Sequence, residues 1–384
     1  MSVNRPPVRR RTLSAGRGLL VLAVFALAAV SIARAAGGSV QLPRGLPQDL
    51  WEILIPPDNA VTPEKIELGR RLYFDKRLSA DGTVSCATCH DPEKGFADGK
   101  KVGEGVGGKK GARNSPTVLN AMFNEFQFWD GRAATLEEQA KGPMINPVEM
   151  GMKDHDAVVS VVMKDPAYAA DFQKIFGRAP TIDDIAAAIA TFERTVLSGD
   201  SAFDRFQAGD VLALSASAQR GWDLWNGKAR CNTCHPFAQN TPNFSDNKFH
   251  NIGVAAKKRD FAALARKAAQ VATLEDLAFD PNFSELGRFI ATKQPKDLGA
   301  FKSSGLRDIA LSAPYMHDGS EPSLLSVVTF YNQGGEQNPY LDGGITPLKL
   351  TDGEMHDLVA FMESLTGEGP GAANRPALRD PKNK

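Results

Sequence analysis

The sequence predicts a mainly α-helical protein in which two similar helical domains pack together. The prediction rests on a pattern that occurs twice: a helical stretch leads into a Cys-x-x-Cys-His run, and an amphipathic helix follows far downstream. Pro63 to Phe74 leads into Cys86-Ala87-Thr88-Cys89-His90, and Ser215 to Asn226 leads into Cys231-Asn232-Thr233-Cys234-His235. Ile182, Ile185, Ile189, Phe192 and Val196 recur at helical spacing after the first run. Leu358, Phe361, Met362 and Leu365 do the same behind the start signal Thr351-Asp352. The polar break Ser198-Gly199-Asp200-Ser201 separates the repeats and puts the domains at 45–200 and 201–366. Residues 100–116 are rich in Gly and Lys and read as a loop. Residues 255–280 are basic, then acidic, and read as a helical insertion on the surface. Residues 367–384 read as a disordered tail.

Each Cys-x-x-Cys-His run is the attachment signature of c-type haem. The two thiols form thioether bonds to the haem vinyl groups, and the histidine supplies an axial nitrogen to the iron. His90 and His235 are therefore the expected proximal ligands. Cys86, Cys89, Cys231 and Cys234 are all the cysteines of the chain, so none is left for a disulfide. A helix before the run and a closing helix after it is the layout of a small cytochrome c-like domain. The expected cofactors are two covalently bound haem c groups. A structural zinc protein is the other reading, but zinc needs both cysteine pairs in one tetrahedral site. Their long separation, and the histidine directly after each pair, speak against it.

The first residues point to export. Arg9, Arg10 and Arg11 form a basic start, Gly18 to Ile32 is an apolar run, and Ala33-Arg34-Ala35 fits a small-residue cleavage site. Residues 1–35 read as a signal peptide directing the chain to the periplasm. Covalent haem attachment in bacteria happens outside the cytoplasm, in agreement. A membrane anchor is the alternative, although the stretch is short of the roughly 20 residues that a span needs. The leader carries six arginines and no acid, so removing it turns 45 Lys+Arg against 45 Asp+Glu into 39 against 45, a balance of −6. That balance argues against nucleic acid as a partner.

Longer blocks go beyond the two haem motifs. In the first half these are Leu68-Gly69-Arg70, Leu78-Ser79, Gly95-Phe96-Ala97-Asp98-Gly99 and Arg113-Asn114-Ser115-Pro116-Thr117-Val118-Leu119-Asn120. Phe128-Trp129-Asp130-Gly131-Arg132, Gly142-Pro143 and Asn146-Pro147-Val148-Glu149-Met150 follow. In the second half they are Leu306-Arg307-Asp308, Ala313-Pro314-Tyr315-Met316-His317-Asp318-Gly319 and Val327 to Gly335. In these blocks, spread across residues 60–366, the chain resembles the bacterial di-haem cytochrome c peroxidase and MauG family.

The resemblance implies an oxidoreductase that reduces hydrogen peroxide with electrons from a small periplasmic cytochrome c or copper protein. It implies Glu149 as the acid that moves protons during O–O cleavage, with Gln139 and Pro143 in the same pocket. It implies Trp129 as a carrier of oxidising equivalents between the haems; a large core aromatic is the plainer reading, and the two are compatible. It also implies calcium between the domains, held by Asn114 and the carbonyls of Ser312 and Pro314, since oxygen ligands suit a hard cation. His317 matches a family histidine. His155, His250 and His356 match none and read as surface or helix residues.

Two positions depart from the peroxidase pattern. Peroxidases of the family carry a histidine in the Gly-rich loop before Arg113-Asn114, which caps the first haem at rest. Here Val106 stands in its place, and none of the six histidines lies in that loop. Valine cannot ligate iron, so the first haem is expected to be open without reductive activation. Peroxidases also place a methionine fourteen residues beyond the position of His317, where this chain has Tyr331, as MauG-type members do. A phenolate is a hard anionic ligand that favours higher iron oxidation states. Tyr331 is the expected ligand of the second iron, with Met316 and Met355 as alternatives. MauG-like oxidation of a protein side chain is thus a second possible function. Quinone-forming members keep a tryptophan just before the second haem run. Trp222 and Trp225 are out of that register and Ala229 sits close to the motif, which counts against a protein substrate. A plain electron-transfer di-haem cytochrome is the third function, and Val106 together with Glu149 counts against it.

Overall fold

The computed structural model describes residues 40–256, 260–271 and 273–367. The leader read at 1–35 and residues 368–384 of the expected tail lie outside the described residues. Among the described residues no helix is long and apolar enough to cross a membrane. The protein is mainly helical. The sheet among the described residues is one short antiparallel ribbon, β1 (Phe249–His250) with β2 (Phe301–Lys302).

Side-chain caps start the helices that frame the site. Thr62 Oγ1 accepts from Lys65 N–H at 3.3 Å to open α1 (Pro63–Phe74), and Pro63 occupies the first turn, where no N–H is required. Thr135 caps α2 (Leu136–Ile145). Thr181 and Asp184 form a reciprocal box at the start of α3 (Ile182–Glu193). Ser215 caps α4 (Ala216–Asn226), and Ser323 with Ser326 boxes α5 (Leu324–Asn332). Thr351 and Glu354 form the box of α6 (Asp352–Glu363). The leading helices α1 and α4 and the closing helices α3 and α6 stand where the periodicity places them. Val196 lies past the end of α3 but is fully buried.

The helices pair in the same way in both halves. α1 meets α3 at Gly69, where an added Cβ would stand 1.9 Å from Ala188 O. α4 meets α6 at Gly221, where an added Cβ would stand 2.0 Å from Asp357 O. Helix backbones come this close only where one of them carries no side chain.

Three apolar clusters result. One gathers residues from Leu46 to Leu197, and the second gathers residues from Phe203 to Leu365. The third contains Phe261, Leu277, Leu286, Ile290, Leu298 and Phe301. Segment 255–280 is helical at Phe261–Ala268 and Leu274–Phe279, but it is not the surface insertion that its charges suggest. Phe261 and Leu277 are buried in the third cluster, and Arg266, Lys267 and Asp276 are exposed on its outer face. Asp204 and Arg307 are buried and pair through two hydrogen bonds of 2.7 and 2.9 Å. Arg307 also donates to Gly45 O at 3.0 Å and to Pro242 O at 2.8 Å, so one guanidinium ties three distant segments together.

Gly221→Ala is expected to force α4 off α6 and to lower stability by about 1–3 kcal/mol, the usual scale of overpacking. Gly343→Ala, a position with nothing within 4 Å, should stay within about 0.5 kcal/mol of the parent. Denaturation of the two purified variants beside the parent checks both values.

Candidate functional site

Each Cys-x-x-Cys-His run is one tight turn that ends on its histidine. In the first, Ser85 N–H bonds Thr88 Oγ1 at 2.9 Å, the helical turn Cys86–Cys89 follows, and His90 N–H closes on Cys86 O at 2.9 Å. In the second, Cys231–Thr233 is a 3-10 turn and His235 N–H closes on Cys231 O at 2.9 Å. An aromatic side chain of the leading helix then holds each histidine carbonyl. Tyr73 Oη of α1 donates to His90 O at 3.0 Å, and Trp225 Nε1 of α4 donates to His235 O at 3.2 Å. Helix position therefore sets histidine position in both halves.

Both runs line a single cavity of about 680 Å³. None of the four cysteines is in a disulfide. Burial pushes Cys89 up to about 11 and Cys231 up to about 12, and raises Cys86 as well. Neutral thiols on an apolar wall suit thioether attachment, whereas zinc binds thiolate. Among the described residues no group of metal-ligating side chains joins the two cysteine pairs, so the zinc reading fails. The walls fit haem. His235 Nδ1 bonds Phe244 O at 2.8 Å, an arrangement that leaves Nε2 bare for a metal. Burial holds both His90 and His235 toward the neutral form that ligates iron. His90 Nδ1 is buried without a hydrogen-bond partner.

Gln139 and Pro143 of α2 and Glu149 beyond it line the cavity together with the first run. Burial raises the Glu149 carboxyl above its ordinary range, while the Arg132 charge and the nearby Asn146 amide pull it partly back. Val106 is not among the lining residues: its side chain belongs to the first apolar cluster, and its N–H donates to Glu149 O at 2.8 Å. The Gly-rich loop presents Gly103, Glu104, Gly105, Gly111 and Ala112 to the cavity instead.

Trp129 lines the same cavity, and its Nε1 donates to Asn114 O at 2.9 Å. Asn114 Nδ2 is spent on Lys100 O at 2.9 Å, and the Asn114 N–H donates to His317 O at 2.8 Å. Ser312 and Pro314 line the cavity with Asn114, and among the described residues neither of their carbonyls accepts a hydrogen bond. On the second side Tyr331 of α5 lines the cavity with His235. Burial, followed by the nearby thiols of Cys234 and Cys231, raises its phenol. Met316 also lines the cavity, but Met355 does not, and Met355 Sδ accepts from Asn332 Nδ2 at 3.5 Å. Ala229 and Trp225 lie on the cavity wall, while Trp222 packs edge-on against Phe203 at 5.0 Å.

Several groups went unread in the sequence. His250 is not a surface residue. It sits on β1, lines the cavity and bridges Asp246 at 3.0 Å and Asp342 at 2.6 Å. The hydrogen bond to Asp246, with help from Cys234 and Asp342, pushes it up to about 11, so it is an imidazolium. His155 and His356 are helix residues bonded to the carbonyls of Lys141 and Asp352. His317 is buried, stacks on Phe301 at 3.6 Å between ring centroids, and lies 3.1 Å from Glu285 Oε2. Glu193 of α3 lines the cavity and is pushed up to about 8 by burial, and its Oε2 has no partner. Only a helical period that turns an acid inward could have signalled Glu193, and nothing local marks the partners of His250 and His317.

The chain matches the family model for di-haem cytochrome c peroxidase over residues 63–211. It is 40% identical over 325 residues to the methylamine utilization protein MauG of Methylorubrum extorquens, covering 84% of this chain and 84% of that protein. It is 37% identical over 367 residues to the cytochrome-c peroxidase IdrP1 of Denitromonas iodatirespirans, covering 93% of this chain and 95% of that one. Among solved structures it is similar to a MauG-like protein associated with microbial copper homeostasis, with TM-score 0.73, 31% identity, and coverage of 91% of this chain and 99% of the other. With relatives of both kinds spanning most of its length, the chain belongs to the di-haem cytochrome c peroxidase and MauG family, and haem is its cofactor.

Proposed function

We propose that this protein is a periplasmic two-haem peroxidase that reduces hydrogen peroxide, with domains at 45–200 and 201–366. The observation that carries the reading is one cavity walled by both Cys-x-x-Cys-His runs, with the carboxyls of Glu149 and Glu193, both raised by burial, on its lining. The reaction is H2O2 + 2 H⁺ + 2 e⁻ → 2 H2O. Cys86, Cys89 and His90 would hold one haem, and Cys231, Cys234 and His235 the other, and the two haems would supply the redox centres. Glu149 takes a proton from one peroxide oxygen and delivers it to the departing one. Gln139 offers an amide to orient the peroxide, and Pro143 limits the room beside it. Trp129, fixed by its bond to Asn114, carries electrons across the cavity. Tyr331 would supply a phenolate oxygen to the iron held beside His235. Calcium bound by Asn114 Oδ1 and the free carbonyls of Ser312 and Pro314 would hold the two halves in register. The electron donor is a small cytochrome c or copper protein, and the leader at 1–35 directs export. Tyr331 also favours a second reading, MauG-like oxidation of a protein side chain. Peroxide turnover with and without reduced cytochrome c separates the two. Donor-dependent turnover supports the peroxidase, and a long-lived oxidised protein that ignores the donor supports the second reading.

The first haem is expected to be open at rest, because no imidazole of the Gly-rich loop is available and Val106 faces the core. Electron paramagnetic resonance of the oxidised protein should show one high-spin haem, and peroxide should react without prior reduction. Two low-spin haems, with activity only after partial reduction, would contradict it.

Glu149→Gln should slow the reaction with peroxide by about 10²–10⁴-fold at unchanged haem content. The carboxyl must be ionised to accept the first proton, and burial raises it, so activity in the parent should fall with acid already above the ordinary carboxylate range. The variant should lose that acid limb. Stopped-flow rates across pH test both statements.

Tyr331→Met should raise the potential of the second haem, and Tyr331→Phe should open a coordination position there. If both variants keep the parent's spectrum and potential, Met316 becomes the ligand.

A further inference from the structure

We propose that Lys302 is the counter-ion of a propionate on the haem held by Cys231 and Cys234. The proposal rests on the two-haem reading and adds to it a residue that holds the cofactor's acidic edge.

Lys302 is fixed by its backbone. Its N–H donates to Trp129 O at 2.9 Å, and β2 pairs it with Phe249 of β1. Its side chain lines the cavity, and among the described residues Nζ has no carboxylate partner and no hydrogen-bond acceptor. Burial pushes this ammonium down to about 8, with no neighbouring charge opposing the shift. An unpaired cation inside a protein is costly, and such charges are normally paired or neutralised.

The other cations on the wall already have partners. Arg113 and Arg132 share Asp130 at 2.7 and 3.0 Å. Arg307 pairs with Asp204 at 2.7 Å, and Arg230 is exposed and reaches Thr346 Oγ1 at 2.7 Å. His250 is held between two carboxylates. Two guanidiniums on one buried carboxylate leave that neighbourhood positive, and Lys302 adds to the excess. The acids on the second side, Asp246 and Asp342, are engaged by His250, so Lys302 has no carboxylate of its own. A c-type haem brings carboxylates of its own into the cavity.

The surroundings assign the haem. Ser304, two residues along the same extended segment, reaches the His235 imidazole through its backbone. Ser303 O accepts from Ser245 Oγ at 2.7 Å, and the next residue, Asp246, donates its N–H to Cys234 O at 3.0 Å. Residues 302–304 therefore pack along the second run rather than the first. A cation beside a propionate offsets negative charge at the porphyrin edge, which makes the reduced iron easier to form.

The test compares Lys302→Met, Lys302→Gln and Lys302→Arg in the full holoprotein. The readouts are haem per chain by pyridine haemochrome and the midpoint potential of each haem by spectroelectrochemistry. The Met and Gln variants should carry two haems, with the second haem's midpoint moved to lower potential and the first moved less. The Arg variant should restore the parent value. Unmoved potentials in both neutral variants overturn the proposal, and a shift confined to the first haem overturns its assignment. Should neither neutral variant acquire its second haem, Lys302→Arg decides. Haem acquisition then supports the charge pairing, and failure makes position 302 a packing site. A parent protein without two haems would defeat the wider functional reading, whereas two haems with unmoved potentials defeat this one alone.

Discussion

The approach of two helix pairs at Gly69 and Gly221 is the constraint on which the site depends. The leading helix can sit against the backbone of its closing helix only because the residue at the contact has no side chain. Once seated, α1 brings Tyr73 to the His90 carbonyl, and α4 brings Trp225 to the His235 carbonyl. The tight turn of each run then leaves no freedom for the two cysteines and the histidine. A chain of four steps, from glycine contact to helix seat to aromatic tether to histidine, is built twice with different aromatic residues. Arg307 closes the arrangement by joining Asp204, Gly45 and Pro242.

Burial controls the chemistry of the cavity wall. Cys86, Cys89, Cys231 and the Tyr331 phenol are all raised by desolvation, so each tends to stay neutral in the unloaded protein. A ligating metal reverses that preference at a phenol, because ionisation is then compensated at short range. The same low-dielectric wall makes charge mismatches matter. Asp130 lies lowered to about 2 between Arg132 and Arg113, although burial alone would raise it. The guanidiniums win there because two of them face one carboxylate. Lys302 has no such partner, so burial alone decides its state until an anion enters.

Much of this was legible in the sequence. The period of Ile182, Ile185 and Ile189, and the Thr351 cap signal, place α3 and α6 correctly, since both are local properties of helices. The two Cys-x-x-Cys-His runs are contiguous, and their turns are as tight as the spacing demands. What could not be read was produced by long-range pairing. His250 meets Asp342 across 92 positions, and His317 meets Glu285 across 32. No neighbour in sequence announces either partner. Segment 255–280 was misread for a related reason: its charges are consecutive in sequence, whereas Phe261 and Leu277 turn inward from separate helices. Val106 illustrates a finer point. Its identity says that it cannot ligate iron, but only the fold shows that its side chain faces the core while its amide holds the carbonyl of Glu149.

The two sides of the cavity differ in how their acids are occupied, and the difference suits a reaction that consumes protons at one place and electrons at another. On the first side burial raises Glu149 and pushes Glu193 up to about 8, and Glu193 Oε2 lacks a partner, so a proton can reside on Glu193 near neutral pH. On the second side Asp246 and Asp342 are both lowered and are engaged by one imidazolium, so they stay ionised. A proton taken up at the second side would have to break the His250 pair, at the cost of leaving a buried charge uncompensated. The paired Asp246, His250 and Asp342 beside His235 therefore keep their charges through neutral pH. Trp129 stands on the wall shared by the two sides, and its indole N–H is already committed to Asn114 O, so it can pass charge without offering a second place for protons to collect.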